Sequence, residues 1–142
     1  MDHVVYLDAK AKELESLLSG KKKMIIRGAT GRKLPYGRVN INDNLYFINN
    51  NGKGEVLAIA QVKSVLNSER LTEQESINLV NKNQKKLLLT DKQFTKWAGR
   101  RYIVLVEVEN VKEIKPFQID KGNYGNMDDW LLVEKIDNVL KQ

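Results

Sequence analysis

The sequence predicts an α+β chain: a curved, barrel-like sheet of about five to six mostly antiparallel strands with helices at its periphery. Three observations carry this. Apolar residues recur at every second position in Val56, Ala58, Ala60 and Val62, the period of a strand with one buried face. Leu14, Leu17 and Leu18 recur at helical spacing, and so do Ile77 and Val80. Helices interrupt the strands without the regular strand–helix alternation of a parallel α/β sheet.

The elements follow in order. Residues 4–7 form a short apolar strand, and Asp8 can cap a helix over residues 9–19 that Gly20 ends. Residues 23–27 form the next strand. Residues 28–42 lack periodicity, contain Gly28, Gly31, Pro35 and Gly37, and read as a loop long enough to suggest function. Residues 45–48 and 54–66 form a hairpin about the turn at Asn49, Asn50, Asn51 and Gly52. Thr72 and Glu75 have capping-box spacing at the start of a helix over residues 71–87. Thr90 or Asp91 starts a short helix carrying Phe94 and Trp97, which Gly99 closes. Residues 102–114 are the longest strand, apolar on both faces at its start and ended by Pro116. Residues 131–140 are expected to form a last helix.

At 142 residues, with a hydrophobic fraction of 42%, the chain fits one domain, residues 1–142, with its core in about residues 4–114 and residues 115–142 packing on the barrel as a tail. It has no cysteine, so disulfides and thiolate metal sites are excluded. No stretch has the length of a membrane span, and no signal peptide is visible, so a cytoplasmic location is expected. No cofactor and no metal are expected. His3 is the sole histidine, and no nucleophile motif or persuasive carboxylate pair stands out.

The net charge is +6, and its distribution says more than its sum. No acidic residue lies between Ser16 and Asn42, while Lys21, Lys22, Lys23, Arg27, Arg32, Lys33 and Arg38 do. The acids gather elsewhere, as at Glu107 and Glu109, or Asp128 and Asp129. Such separation concentrates positive potential and points to RNA or a nucleotide as partner. In the 28–38 loop, glycine N–H groups can approach an anion, Arg32, Lys33 and Arg38 add charge, and Tyr36 offers a stacking face. Arg100 and Arg101 flank a second aromatic, Trp97, which is expected in the core. Asn123, Tyr124, Asn126, Asp128, Asp129 and Trp130 form a polar-aromatic tail, expected to be a turn with Trp130 packed on the barrel.

Gly20-Lys21-Lys22-Lys23-Met24-Ile25-Ile26-Arg27 resembles the G-x-K-x-x-E-x-R signature of the ASCH family, which also follows a first strand and helix. Asn42-Asp43-Asn44-Leu45-Tyr46-Phe47 is similar to the family's G-D-x-hydrophobic entry into the next strand, with Asn42 in the glycine's place. The strand at residues 56–65, the Trp-bearing short helix and the long Val-rich strand extend the resemblance over about residues 4–114. The resemblance, to small ASCH proteins of the bacterial type, implies a PUA-like barrel that binds RNA or nucleobase derivatives, with Lys22 and Arg27 of the motif as contacts; the reading of the loop adds Arg32, Lys33, Tyr36 and Arg38, and that of the Trp97 segment adds Arg100. The resemblance also implies an alternative: a small nucleoside amidohydrolase or ribonuclease, with Lys22 as base or nucleophile. Ile25 disfavours that alternative, because it stands at the family's polar position and can neither accept a proton nor attack a carbonyl.

Overall fold

A computed structural model describes residues 1–120, 122, 124 and 129–141. Its elements are strand β1 (Asp2–Leu7), helix α1 (Glu13–Leu18), strands β2 (Met24–Ala29), β3 (Asn44–Asn49) and β4 (Glu55–Asn67), helices α2 (Glu73–Leu87) and α3 (Asp91–Trp97), and strands β5 (Tyr102–Gln118) and β6 (Trp130–Glu134). A 3-10 turn, Ile136–Val139, follows. The strands form one six-stranded sheet in the order β2-β5-β4-β3-β1-β6. All neighbouring pairs are antiparallel except β1 with β3. The sheet curls into a half-barrel, in keeping with the expected α+β chain built on a curved, mostly antiparallel sheet.

Side chains from the sheet's inner face form the main core with α1: Val5, Leu7, Leu14, Leu17, Ile25, Phe47, Ala60, Val106 and Trp130 among them. A second cluster lies on the other face of β2 and β5. There Met24, Ile26, Ile103 and Leu105 meet Val80 and Leu87 of α2, with Phe94 and Trp97 of α3 at its margin. Strands covered on both faces lose the period-2 signal, which is why β5 begins as an unbroken apolar run.

The expected capping box forms, and so does a second one. The Thr72 hydroxyl accepts from Glu75 N–H at 3.1 Å, and Glu75 reciprocates at 2.9 Å. Thr90 and Gln93 do the same at α3.

Three expectations fail, each for a local reason. Asp8 does not cap α1. Its carboxylate accepts from Ala11 N–H at 3.0 Å and holds a turn, and α1 starts only after Lys12 at φ 55°. Pro116 does not end β5, because it lies where the β4–β5 register shifts, between the pairs Ala58–Glu113 and Val56–Phe117, and a bulge does not demand its missing N–H. Residues 131–140 are not a helix. Trp130 and Leu132 join the main core while Leu131 and Val133 join a third cluster under Val4, Ile48 and Val56. A strand buried on both faces carries the same apolar density as a helix face.

Candidate functional site

Arg27 lies on β2 opposite Val104 of β5. Strand alternation gives it the face of Ile25, so it points inward near the open seam of the half-barrel rather than out toward α2. It is 8% exposed. Two of its donors are committed to main chain: Nη1–H to Ile26 O at 2.7 Å and Nη2–H to Tyr6 O at 2.8 Å. The second bond ties β2 to β1, which lies at the far side of the sheet order. The guanidinium carbon is 5.7 Å from the Trp97 ring centre and 5.6 Å from that of Trp130. These indoles give a buried cation a favourable surrounding that carboxylates alone would otherwise have to supply. Nε–H is buried and makes no hydrogen bond of good geometry; Asp129 Oδ2 lies 3.3 Å away.

Two hollows meet over this arginine. One, of about 250 Å³, lies among Tyr6, Asp8, Lys10, Glu13, Asn50 and Gln93. The other, of about 190 Å³, is lined by Gly28, Gly31, Lys33, Leu34, Tyr36 and Tyr102. Arg27, Lys96, Trp97 and Asp129 line both. Each is below the roughly 300–1,000 Å³ usual for small-molecule pockets, so the joined cleft suits a nucleotide-sized group or a strand passing through better than a large cofactor. Lys10, Lys33 and Lys96 are exposed at its rim, and Lys96 Nζ is 4.7 Å from the Trp97 ring centre.

The residues singled out from the sequence are only partly gathered here. Arg27, Lys33 and Tyr36 line the cleft. Lys22 does not. It precedes β2, is 2% exposed, and donates to Leu87 O at the end of α2 while Glu13 Oε2 lies 3.3 Å away. Burial pushes its amine below the ordinary lysine value, against the opposing pull of Glu13. It is therefore a structural cation and not the solvent-facing point charge expected. Tyr36 keeps less freedom than expected: its hydroxyl donates to Ser68 O at 2.5 Å, its ring meets Tyr102 edge-on at 5.7 Å, and Arg32 sits 5.7 Å from its ring centre. Gly37 N–H is spent on Asn67 Oδ1 at 2.8 Å and is not offered to an anion. Gly28 is needed for packing, since a Cβ there would come within 3.0 Å of Ile103 Cδ1 and 3.2 Å of Arg100 Cβ. Arg100 itself is exposed, with Nε–H donating to Lys96 O at 3.1 Å. Arg38 is exposed and lines neither hollow.

Sequence reasoning did not bring Lys10 and Lys96 to the cleft, and it favoured the core for Trp97 and a turn for Asp129. Trp97 does reach the core margin as expected, but it is half-buried and borders both hollows. The polar-aromatic tail is only partly described: Asn123, Asn126 and Asp128 lie outside the described residues, Tyr124 packs on the third cluster, and Trp130 is buried as expected. Asp129, counted among acids remote from the basic stretch, lies against its central arginine.

Trp130 is held by a residue that the sequence left unassigned. Its Nε1–H donates to His3 Nδ1 at 3.1 Å. An indole nitrogen only donates, so Nδ1 must be unprotonated and His3 is the neutral Nε2–H tautomer. Nε2–H then donates to Asp43 Oδ2 at 2.8 Å, and that same oxygen accepts from Asn40 N–H at 2.9 Å. This fully buried relay fixes the indole that borders Arg27.

The chain has the fold of solved ASCH structures. It resembles the crystal structure of ASCH from Zymomonas mobilis with a TM-score of 0.69 at 14% identity, over 96% of this chain and 90% of that one. A Tyr-to-Phe variant of that protein matches with a TM-score of 0.69 at 14% identity, over 96% of this chain and 92% of its own. A Ser-to-Ala variant matches with a TM-score of 0.61 at 14% identity, over 82% and 73%. No protein-family model matches the chain, and no curated protein matches it.

Proposed function

We propose that this protein binds single-stranded RNA, or a nucleotide, in the cleft over Arg27. The observation that carries the reading is a buried arginine set between two indoles at the floor of a cleft whose rim holds lysines from three separate parts of the chain. Lys10, Lys33 and Lys96 neutralise phosphates. Trp97 supplies the aromatic surface on which a base stacks, a role that suits it better than Tyr36, whose ring and hydroxyl are already engaged. The ASCH-type fold and the Gly20–Arg27 resemblance support the same class of ligand. The arrangement favours binding over catalysis: Ile25 is fully buried among apolar side chains, and the Lys22 amine is committed to Glu13 and Leu87 O.

The test is fluorescence anisotropy of a labelled oligouridylate at a series of salt concentrations. Log affinity is expected to fall with log salt by about 0.7 per neutralised phosphate. Lys33→Gln and Lys96→Gln should each make that slope shallower by about 0.7. Trp97→Ala should weaken binding by about 1–3 kcal/mol with the slope kept, because a stacked base releases no counterions. An affinity that does not change with salt removes the reading.

A further inference from the structure

Arg27 has three polar contacts, and they are not equivalent. Its two Nη donors go to main-chain carbonyls of β2 and β1, which cannot leave without opening the sheet. Its Nε–H lies against a side chain, the carboxylate of Asp129, at 3.3 Å. That carboxylate is 42% exposed, whereas the arginine beside it is buried. The main chain of Asp129 is fixed independently, since its carbonyl accepts from Tyr6 N–H at 2.9 Å. A side chain on an anchored backbone can therefore rotate off the guanidinium without disturbing β6. Because Asp129 lines both hollows, a ligand entering either of them meets it.

We propose that Asp129 is an internal competitor for the cleft: its carboxylate occupies the place on Arg27 that a ligand's phosphate takes, and so sets the affinity for phosphorylated ligands. The proposal rests on the binding reading above. A phosphate group brings more negative charge than a carboxylate and more acceptor oxygens, so it can displace a half-exposed carboxylate from an arginine. While no ligand is bound, Asp129 keeps the buried cation from standing uncompensated.

The experiment compares wild type with Asp129→Asn and Asp129→Glu against two probes, a short 5′-phosphorylated oligouridylate and free uridine, with thermal melts confirming that each variant is folded. Asp129→Asn keeps the shape and removes the charge. It is expected to bind the phosphorylated probe about five-fold more tightly and to show no comparable gain for uridine. Asp129→Glu, which retains the competing carboxylate, should behave as wild type. Should Asp129→Asn fail to fold, Asp129→Ser takes its place, with the same gain for the phosphorylated probe alone expected. If wild type binds the oligonucleotide in a manner that Lys33→Gln and Lys96→Gln weaken, but Asp129→Asn binds it no better or less well, the competitor is refuted while the binding reading stands. An equal gain for uridine likewise overturns it, because charge competition would not reach an uncharged probe. If neither wild type nor Asp129→Asn binds the oligonucleotide, the binding reading falls and takes the competitor with it.

Discussion

Lys22 and Arg27 lie five residues apart, belong to one acid-free stretch, and are both buried, yet they differ in what surrounds them. Lys22 is enclosed between α1 and the end of α2. Its ammonium has a carboxylate and a carbonyl for partners, and Glu13 in turn accepts from Asp8 N–H at 3.0 Å. Every polar group there is answered from within. Arg27 is almost as deeply buried, but two hollows meet over it and the carboxylate beside it, that of Asp129, is half-exposed. The difference teaches that burial of a charge does not by itself mark a functional site. What marks one is a buried charge whose last partner can be exchanged for something arriving from outside.

The comparison can be broken most sharply at Lys22. Replacing it by Met leaves Glu13 buried without its cation, and unfolding in urea should show a loss of about 3–5 kcal/mol. Where the variant is still folded, oligonucleotide affinity should fall less than in Arg27→Gln; an equal loss would mean that Lys22 belongs to the cleft after all. Arg27→Gln should reverse the pattern. Tyr6 O and Ile26 O lose charged donors, for a stability cost of about 1–3 kcal/mol, while binding falls by 2 kcal/mol or more, on the order of thirty-fold. Wild-type affinity in Arg27→Gln would reduce the arginine to a seam between β2 and β1.

The smallest effect concerns pH, through the relay that holds Trp130. Burial holds the His3 pKa below its ordinary 6.5, although Asp43 and Asp2 pull it upward and the N-terminal amine pushes it down. The neutral ring therefore contributes stability in full above the unfolded value, and that contribution is lost as pH falls through the folded value. Protonation also puts a hydrogen on Nδ1, opposite the Trp130 N–H. Urea denaturation at a series of pH values below neutrality should show stability declining with acidity in wild type and a flatter profile in His3→Gln. Equal profiles would show that His3 does not titrate with unfolding.

Some of this was legible along the chain. The hairpin about residues 49–54, the alternation in β4, the Thr72–Glu75 capping box and the helical stripes are written in neighbours at fixed spacing, and physics that acts over a few residues reads them correctly. The basic stretch was also legible, but its meaning divided. Its members were expected to converge around one opening. Instead Lys22 turns into the protein, Arg32 lies on two tyrosine rings at 5.7 and 5.6 Å, Arg38 lines neither hollow, and only Arg27 and Lys33 line the cleft. Of the other two rim cations, Lys10 comes from a segment that carried no signal of its own and Lys96 from the segment of Trp97. Trp97 carried one faint sign, a lysine before it and Arg100 and Arg101 soon after, which is unusual company for a residue wholly in the core.

The sequence by itself determined the inventory: α+β elements, a long polar loop after β2, an excess of positive charge held in one segment, and apolar strands enough to close around a core. Only the tertiary structure decided which charges are neutralised and which are offered. Whether Asp129 sits beside Arg27, or Glu13 beside Lys22, depends on how β6 pairs with β1 and how the segment after α1 bonds to the end of α2. Charge interactions act through space and weaken with distance, so partners about a hundred residues apart can neutralise one another once folding brings them within a few ångströms, and nothing in the local order of the chain announces it.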